Sequence, residues 1–204
     1  MENSLDAVLR ESEKHHGHVC PRQVLGARMG LLAGDVLGVS LHQKLKNLMV
    51  FVETDGCFAD GIVAATGCTL GHRTMRLIDV GRVAATFVDV KTERAIRIAP
   101  SATSRQAAID LINNPRSRWH AYLEAYQIMP DEELFNIQEI TLMFLVKDVL
   151  SRPDWRVICE RCGEEIINER EVERDGKTLC KVCAGESYYE VMHTVSTAKT
   201  LTSS

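Results

Sequence analysis

Apolar positions recur at helical spacing in the first third of the chain and give way to β-branched clusters further on. Leu5, Val8 and Leu9, set among charged residues, predict an amphipathic helix over residues 5–14. The pattern breaks at His15-His16-Gly17-His18-Val19-Cys20-Pro21. Pro21 suits the first position of a second helix running to about Leu37, which places Cys20 near its N-cap. Gly26, Gly30 and Gly34 share one face of that helix. Each costs about 1 kcal/mol relative to alanine in a helix, so the spacing predicts a tight packing face. Residues 48–53 read as a strand ending at Thr54-Asp55-Gly56-Cys57, a turn into a helix over 58–66. Strands are expected at 74–80, 83–90 and 95–98, joined as an antiparallel meander. Helices follow at 102–113 and 116–128, interrupted at Asn113-Asn114-Pro115, with a helical turn from Pro130. The apolar run 137–150 fits either helix or strand, and 140–146 favours a strand. Ser151-Arg152-Pro153-Asp154 is the expected linker.

This order of elements predicts an α+β fold. An antiparallel sheet with packed helices is expected over residues 1–150, and a small treble-clef-like or ribbon-like zinc finger with a polar tail over 151–204. A chain of 204 residues can bury one good-sized core and carry a metal-stabilised satellite. Its hydrophobic fraction of 45% and charged fraction of 25% are ordinary for globular proteins, and a formal charge of -4 offers no general attraction to nucleic acid. The chain starts Met1-Glu2-Asn3-Ser4-Leu5-Asp6 and has no apolar run long enough to cross a bilayer, so the cytoplasm is the expected location, with no membrane association.

The seven cysteines divide into four and three. Cys159/Cys162 and Cys180/Cys183 form two C-x-x-C pairs, a spacing suited to one structural zinc with four thiolate ligands and no open position. Two disulfides are the competing reading, which paired spacing in a cytosolic chain disfavours. Gly163 permits a tight turn after the first pair, Asp175-Gly176 predicts a hairpin between the pairs, and residues 184–189 predict a short helix after them.

The upstream cysteines lie beside histidines. In an extended segment His16, His18 and Cys20 project to one side, with Gly17 allowing close approach. Cys57 sits near a helix start, where partial positive charge favours a thiolate. Cys68 and His72 lie in the glycine-punctuated loop that follows. Together these residues suggest a mixed His/Cys transition-metal site or a thiol-based active site. Cys68 by itself reads more readily as a small buried hydrophobe.

The blocks His16-Gly17-His18-Val19-Cys20-Pro21, Gly26-Ala27-Arg28-Met29-Gly30, Thr54-Asp55-Gly56-Cys57 with Asp60-Gly61-Ile62, and Thr66-Gly67-Cys68-Thr69-Leu70-Gly71 resemble the E-subunit family of formylmethanofuran dehydrogenase. The resemblance covers about residues 10–145, and a C-terminal zinc finger is a known appendage of that family. It implies an α+β core, a homodimer, and a second transition-metal ion, expected to be zinc, on His16, His18, Cys20 and Cys57. Arg22 stands where a glycine is common, which narrows the mouth of such a site or adds an anion-binding charge.

The dehydrogenase proper uses a molybdenum or tungsten pterin and iron-sulfur clusters, and this chain has neither the repeated cysteine clusters nor the size of that catalytic subunit. The sequence assigns no catalytic residue and no organic-cofactor site. Three readings remain. One is an accessory protein linked to molybdenum or tungsten enzymes, docking a protein partner through its finger. Another is a stand-alone metalloenzyme acting on a small oxygenated substrate, with Asp55 or Asp60 as acid or base. The third is a zinc-finger regulator, but the finger mixes Arg161, Arg170 and Arg174 with Glu164, Glu165 and Glu173, so it is no basic patch.

Overall fold

Ser4 accepts a hydrogen bond from the Ala7 amide at 3.3 Å and starts helix α1 (Leu5–His16). Gly17 ends it in the left-handed region at φ 82°, returning its N–H to the Glu13 carbonyl at 2.7 Å. Helix α2 (Pro21–Leu37) begins at its proline and stops at Gly38. Strand β1 (Leu48–Val52), helix α3 (Cys57–Thr66) and strands β2 (Met75–Leu77), β3 (Ala85–Asp89) and β4 (Ala95–Pro100) follow. Helices α4 (Ser104–Leu111), α5 (Arg118–Ile128) and α6 (Asp131–Leu134), strand β5 (Phe135–Ile140) and helix α7 (Val146–Val149) complete the first unit. The computed structural model describes residues 4–42, 46–150 and 155–194, and the chain separates into two units, Met1–Leu150 and Ser151–Ser204.

The first unit has an α+β architecture around one five-stranded sheet of order β2-β1-β3-β4-β5. Strands β1, β3, β4 and β5 are antiparallel neighbours, with Val50 opposite Phe87 and Phe87 opposite Ile96. The expected meander fails at β2, which pairs parallel to β1 with Met75 beside Val50. The reason is α3: a helix between two neighbouring strands carries the chain back to the starting end, so the second strand runs parallel to the first.

Every residue of β1 is buried, because both faces of the sheet are covered. Leu48, Val50 and Val52 join Phe58, Ile62, Phe87 and the apolar sides of the helices in the main core. Met49 and Phe51 face the other way, against Val88, Ala95 and Val146. This second face explains the run after Ile140. The expected strand over 140–146 does not form; β5 ends at Ile140, and the chain then crosses the sheet, setting Phe144 edge-on to Phe51 at 5.4 Å and burying Val146.

Gly26 and Gly30 on the glycine face of α2 meet α3, whereas Gly34 faces the Leu41 side chain. A Cβ at Gly26 would collide with the Phe58 carbonyl, one at Gly61 with the Gln23 carbonyl, and one at Gly30 would lie 2.6 Å from the Ala65 Cβ. The two helices cross with their backbones in contact, so the tight packing predicted for this face is satisfied inside the chain.

Glu53, at the end of β1, anchors the turn that leads to α3. Its carboxylate accepts from Arg97 Nε at 2.6 Å and Nη2 at 2.9 Å and pairs with Arg82 Nε at 2.7 Å. The Arg97 hydrogen bond, opposed by burial, holds its pKa below the ordinary 4.5. A depressed carboxylate pKa adds stability above the unfolded-state value and loses it as pH falls through the folded value. Glu53→Gln is therefore expected to cost about 2 kcal/mol near neutrality, with the difference from wild type shrinking below about pH 4.5 in denaturant titrations. Parallel acid profiles for the two proteins would contradict the pairing.

The second unit consists of two hairpins, β6 (Arg156–Ile158) with β7 (Glu165–Ile167) and β8 (Val172–Arg174) with β9 (Lys177–Leu179). Asp175 and Gly176 turn the second hairpin with φ 52° and 72°, as their dipeptide predicts. Residues 184–189 do not form the expected helix; the chain makes a turn after Cys180, with the Ala184 amide donating to the Cys180 carbonyl at 2.9 Å, and the finger is ribbon-like. The linker expected at 151–154 and the polar end at 200–204 lie outside the described residues.

Candidate metal centres

In the finger, the thiols of Cys159, Cys162, Cys180 and Cys183 lie within 4.8 Å of one another, a set that could hold a metal ion. Each pair hangs from a turn. Gly163, at φ 77°, donates to the Cys159 carbonyl at 2.9 Å and closes the first. Backbone amides point at sulfur, from Cys180 to Cys159 Sγ at 3.3 Å and from Cys183 to Cys180 Sγ at 3.4 Å. The Cys180 amide leads the groups that pull the Cys159 thiol down to about 6, whereas burial, followed by the neighbouring sulfurs, pushes Cys183 up to about 12. Four sulfurs this close, with amides aimed at them, fit a tetrahedral structural zinc and leave no ligand position for substrate.

The upstream residues converge where three helices end or begin. His16 is the last residue of α1, Cys20 is the N-cap of α2, and Cys57 is the first residue of α3. His16 Nε2 lies 3.1 Å from Cys57 Sγ, and its Nδ1 lies 3.0 Å from the Asp60 carboxylate. The His18 ring is exposed, with its centroid 5.0 Å from that of His16. Burial, followed by the neighbouring Cys20, pushes the Cys57 thiol pKa up. The backbone amide at the helix start pulls the other way, as expected there, but burial and Cys20 outweigh it.

His16 comes to the site as a helix end followed by a left-handed glycine, and the segment to Cys20 is not one extended strand. A buried polar chain fixes the next turn: the Cys20 amide donates to Gln23 Oε1 at 2.7 Å, and Gln23 Nε2 donates to Ser12 Oγ at 2.8 Å. The sequence offers Asp60 as an acid or base, and the structure makes it the partner of His16. The available signal was its place one helical turn after Cys57, which puts both side chains on one face of α3. Among the described residues, only the four finger cysteines bring three or more His, Cys, Asp or Glu donors within 4.8 Å of one another.

Cys68 and His72 do not join either group. Cys68 is 4% exposed in the main core, its thiol directed at the Leu48 carbonyl at 3.5 Å, with its pKa raised by burial. It lies beyond the far end of α3 from Cys57, about 15 Å along the helix axis. His72 is exposed.

A cavity of about 730 Å³ opens beside Cys20 and Cys57, walled on its other side by α4 and α5. Arg28 ties α5 to α2, donating to the Tyr126 carbonyl at 2.8 Å and the Asp131 carboxylate at 2.5 Å. No helix among the described residues is long and apolar enough to cross a membrane.

An α+β domain followed by a four-cysteine finger defines a small metal-binding protein. Residues 15–136 match the model of FmdE, molybdenum formylmethanofuran dehydrogenase operon, and the chain belongs to that family. Residues 156–189 match the prokaryotic dksA/traR C4-type zinc finger. A relative from Archaeoglobus fulgidus, described as a probable S-adenosyl-L-methionine-binding protein, is 31% identical over 209 residues, covering 94% of this chain and 56% of that protein. The chain thus spans little more than half the length of that relative. The crystal structure of a tungsten formylmethanofuran dehydrogenase FmdE-like protein from Syntrophus aciditrophicus aligns over 91% of this chain and 95% of its own, with a TM-score of 0.55 and 18% identity. That likeness establishes a shared fold.

Proposed function

We propose that the core unit holds a second metal ion on His16, His18, Cys20 and Cys57, and that the protein is a cytoplasmic accessory of molybdenum or tungsten enzymes. The observation that carries the metal reading is the setting of His16. Its Nε2 faces Cys57 Sγ while Asp60 engages its Nδ1, the way a ligating imidazole is commonly oriented by a carboxylate. Two thiols and two imidazoles form a donor set suited to a zinc-type ion. Bound there, such an ion would supply Lewis acidity at the mouth of the cavity. Asp60 sets the ring, and Gln23 with Ser12 sets the backbone of Cys20.

The link to molybdenum or tungsten enzymes rests on the family description and on the tungsten-associated neighbour. Exposed Trp155, Ile158 and Ile167 supply apolar surface on the finger for a protein partner. The homodimer expected of the family would need a surface other than the glycine face of α2, which α3 and Leu41 already cover. S-adenosyl-L-methionine binding is not assigned to this chain, because nearly half of the relative so described lies outside the matched stretch.

One observation favours a stand-alone metalloenzyme as the second reading: the cavity reaches Cys20 and Cys57, so a substrate could lie against the proposed metal. In that case Asp60 acts as a positioning residue through His16.

Metal analysis tests the proposal. Wild type is expected to carry two equivalents, and the Cys20→Ser, Cys57→Ser double variant one, with the finger keeping its zinc. Unchanged metal content in the double variant would sink the second site.

A further inference from the structure

The cavity beside the core site has a marked chemical bias. None of the residues lining it is Asp or Glu, whereas Arg22, Arg105 and His18 are among them. Among the described residues neither Arg22 nor Arg105 has a carboxylate partner within ion-pair distance. Pro21, Cys57 and Ser104 are the first residues of α2, α3 and α4, and Trp119 is the second of α5. First-turn residues of four helices, where partial positive charge gathers, therefore line one space.

The opposite wall is aromatic. Tyr122 and Tyr126 stack at 5.6 Å with their planes 10° apart, and Trp119 stands beside them, 43% exposed. Burial leads the causes that push the Tyr126 hydroxyl pKa up, while Ser104 and Arg105 pull it down. A cationic rim, an aromatic wall and a volume of about 730 Å³ suit a ligand that carries both an anionic group and a flat ring. The size falls inside the range usual for small-molecule sites.

We propose that this cavity binds a planar aromatic anion of up to mononucleotide size, its carboxylate or phosphate held by Arg22 and Arg105 and its ring set against Trp119 and Tyr122. The proposal deepens the reading of the core site, because such a ligand would lie against Cys20 and Cys57. It also accounts for Arg22 at a position where the resemblance expects glycine.

Trp119 and Trp155 are the chain's two tryptophans, so Trp155→Phe makes Trp119 the sole indole reporter. In that full-length background, adenosine monophosphate and indole-3-acetate serve as phosphate and carboxylate probes, with adenosine and inorganic phosphate as controls. For adenosine monophosphate, quenching of Trp119 is the readout; for indole-3-acetate, which itself fluoresces, calorimetry is used. At least one anion is expected to bind with a dissociation constant below about 1 mM, and adenosine and phosphate at least about tenfold more weakly. Arg22→Ala with Arg105→Ala, both exposed positions, should weaken the bound anion by about tenfold or more. The inference is overturned if neither anion binds, if adenosine matches adenosine monophosphate, or if the arginine variant binds unchanged. Metal content of the same samples reports separately on the metal reading. Anion binding that survives loss of the second metal supports the pocket while leaving the metal reading to its own assay.

Discussion

Stripping zinc from the finger is expected to unfold residues 156–189 while the core unit keeps its structure. The finger has almost no core of its own: Cys159, Ile166 and Leu179 are its buried apolar residues, and each of its four hairpin strands is only three residues long. Two-stranded hairpins are marginal in water, so the metal must supply most of the folding free energy. In zinc-finger peptides that contribution is on the order of 10–16 kcal/mol. Hydrogen exchange before and after chelation reads the result. Amides of β6 through β9 should lose protection and regain it on adding zinc, while those of β1 and β3 stay protected throughout. A finger that keeps its protection without metal would show that the four cysteines are not what holds it.

Gly61→Ala is expected to be, with Gly26→Ala, among the most damaging single methyls in the core unit. Its Cβ would fall onto the Gln23 carbonyl and within 2.8 Å of the Ala27 amide nitrogen, both backbone atoms of α2 that no rotamer change can move. Overpacking of this kind costs about 3 kcal/mol or more. The same displacement would shift Cys57 away from Cys20, because one helix starts at each residue. Stability and occupancy of the second metal should therefore fall together. Gly71→Ala is the control, since its Cβ would meet nothing closer than Thr69 Oγ1 at 3.9 Å. Equal denaturation midpoints for the two variants would mean that the α2–α3 contact is looser than described.

The helices and the finger were legible in the sequence because their signals are local. Pro21 and Gly38 bracket α2, the spacing of Gly26 and Gly30 anticipates the contact with α3, and Asp175-Gly176 marks its hairpin. The paired cysteines likewise carry their geometry in their spacing. What was not legible depends on distant partners. Nothing near residues 75–77 states that β2 pairs parallel to β1, and the apolar run after Ile140 looks like a strand because it covers the second face of a sheet built elsewhere. The His16–Cys57–Asp60 contact joins residues 41 and 44 positions apart. Residues 16–20 carry an extended-segment pattern, yet His16 is presented by a helix end closed by Gly17. The aromatic wall of the cavity, brought in by α5, had no sequence signal linking it to the upstream cysteines.

The second metal is the central claim, and anomalous diffraction at the zinc edge from crystals grown with zinc tests it most directly. The account predicts two peaks per chain, one among Cys159, Cys162, Cys180 and Cys183, and one within bonding distance of His16 Nε2 and Cys57 Sγ. A single peak at the finger, with His16 and Cys57 in direct contact and no scatterer between them, would contradict it.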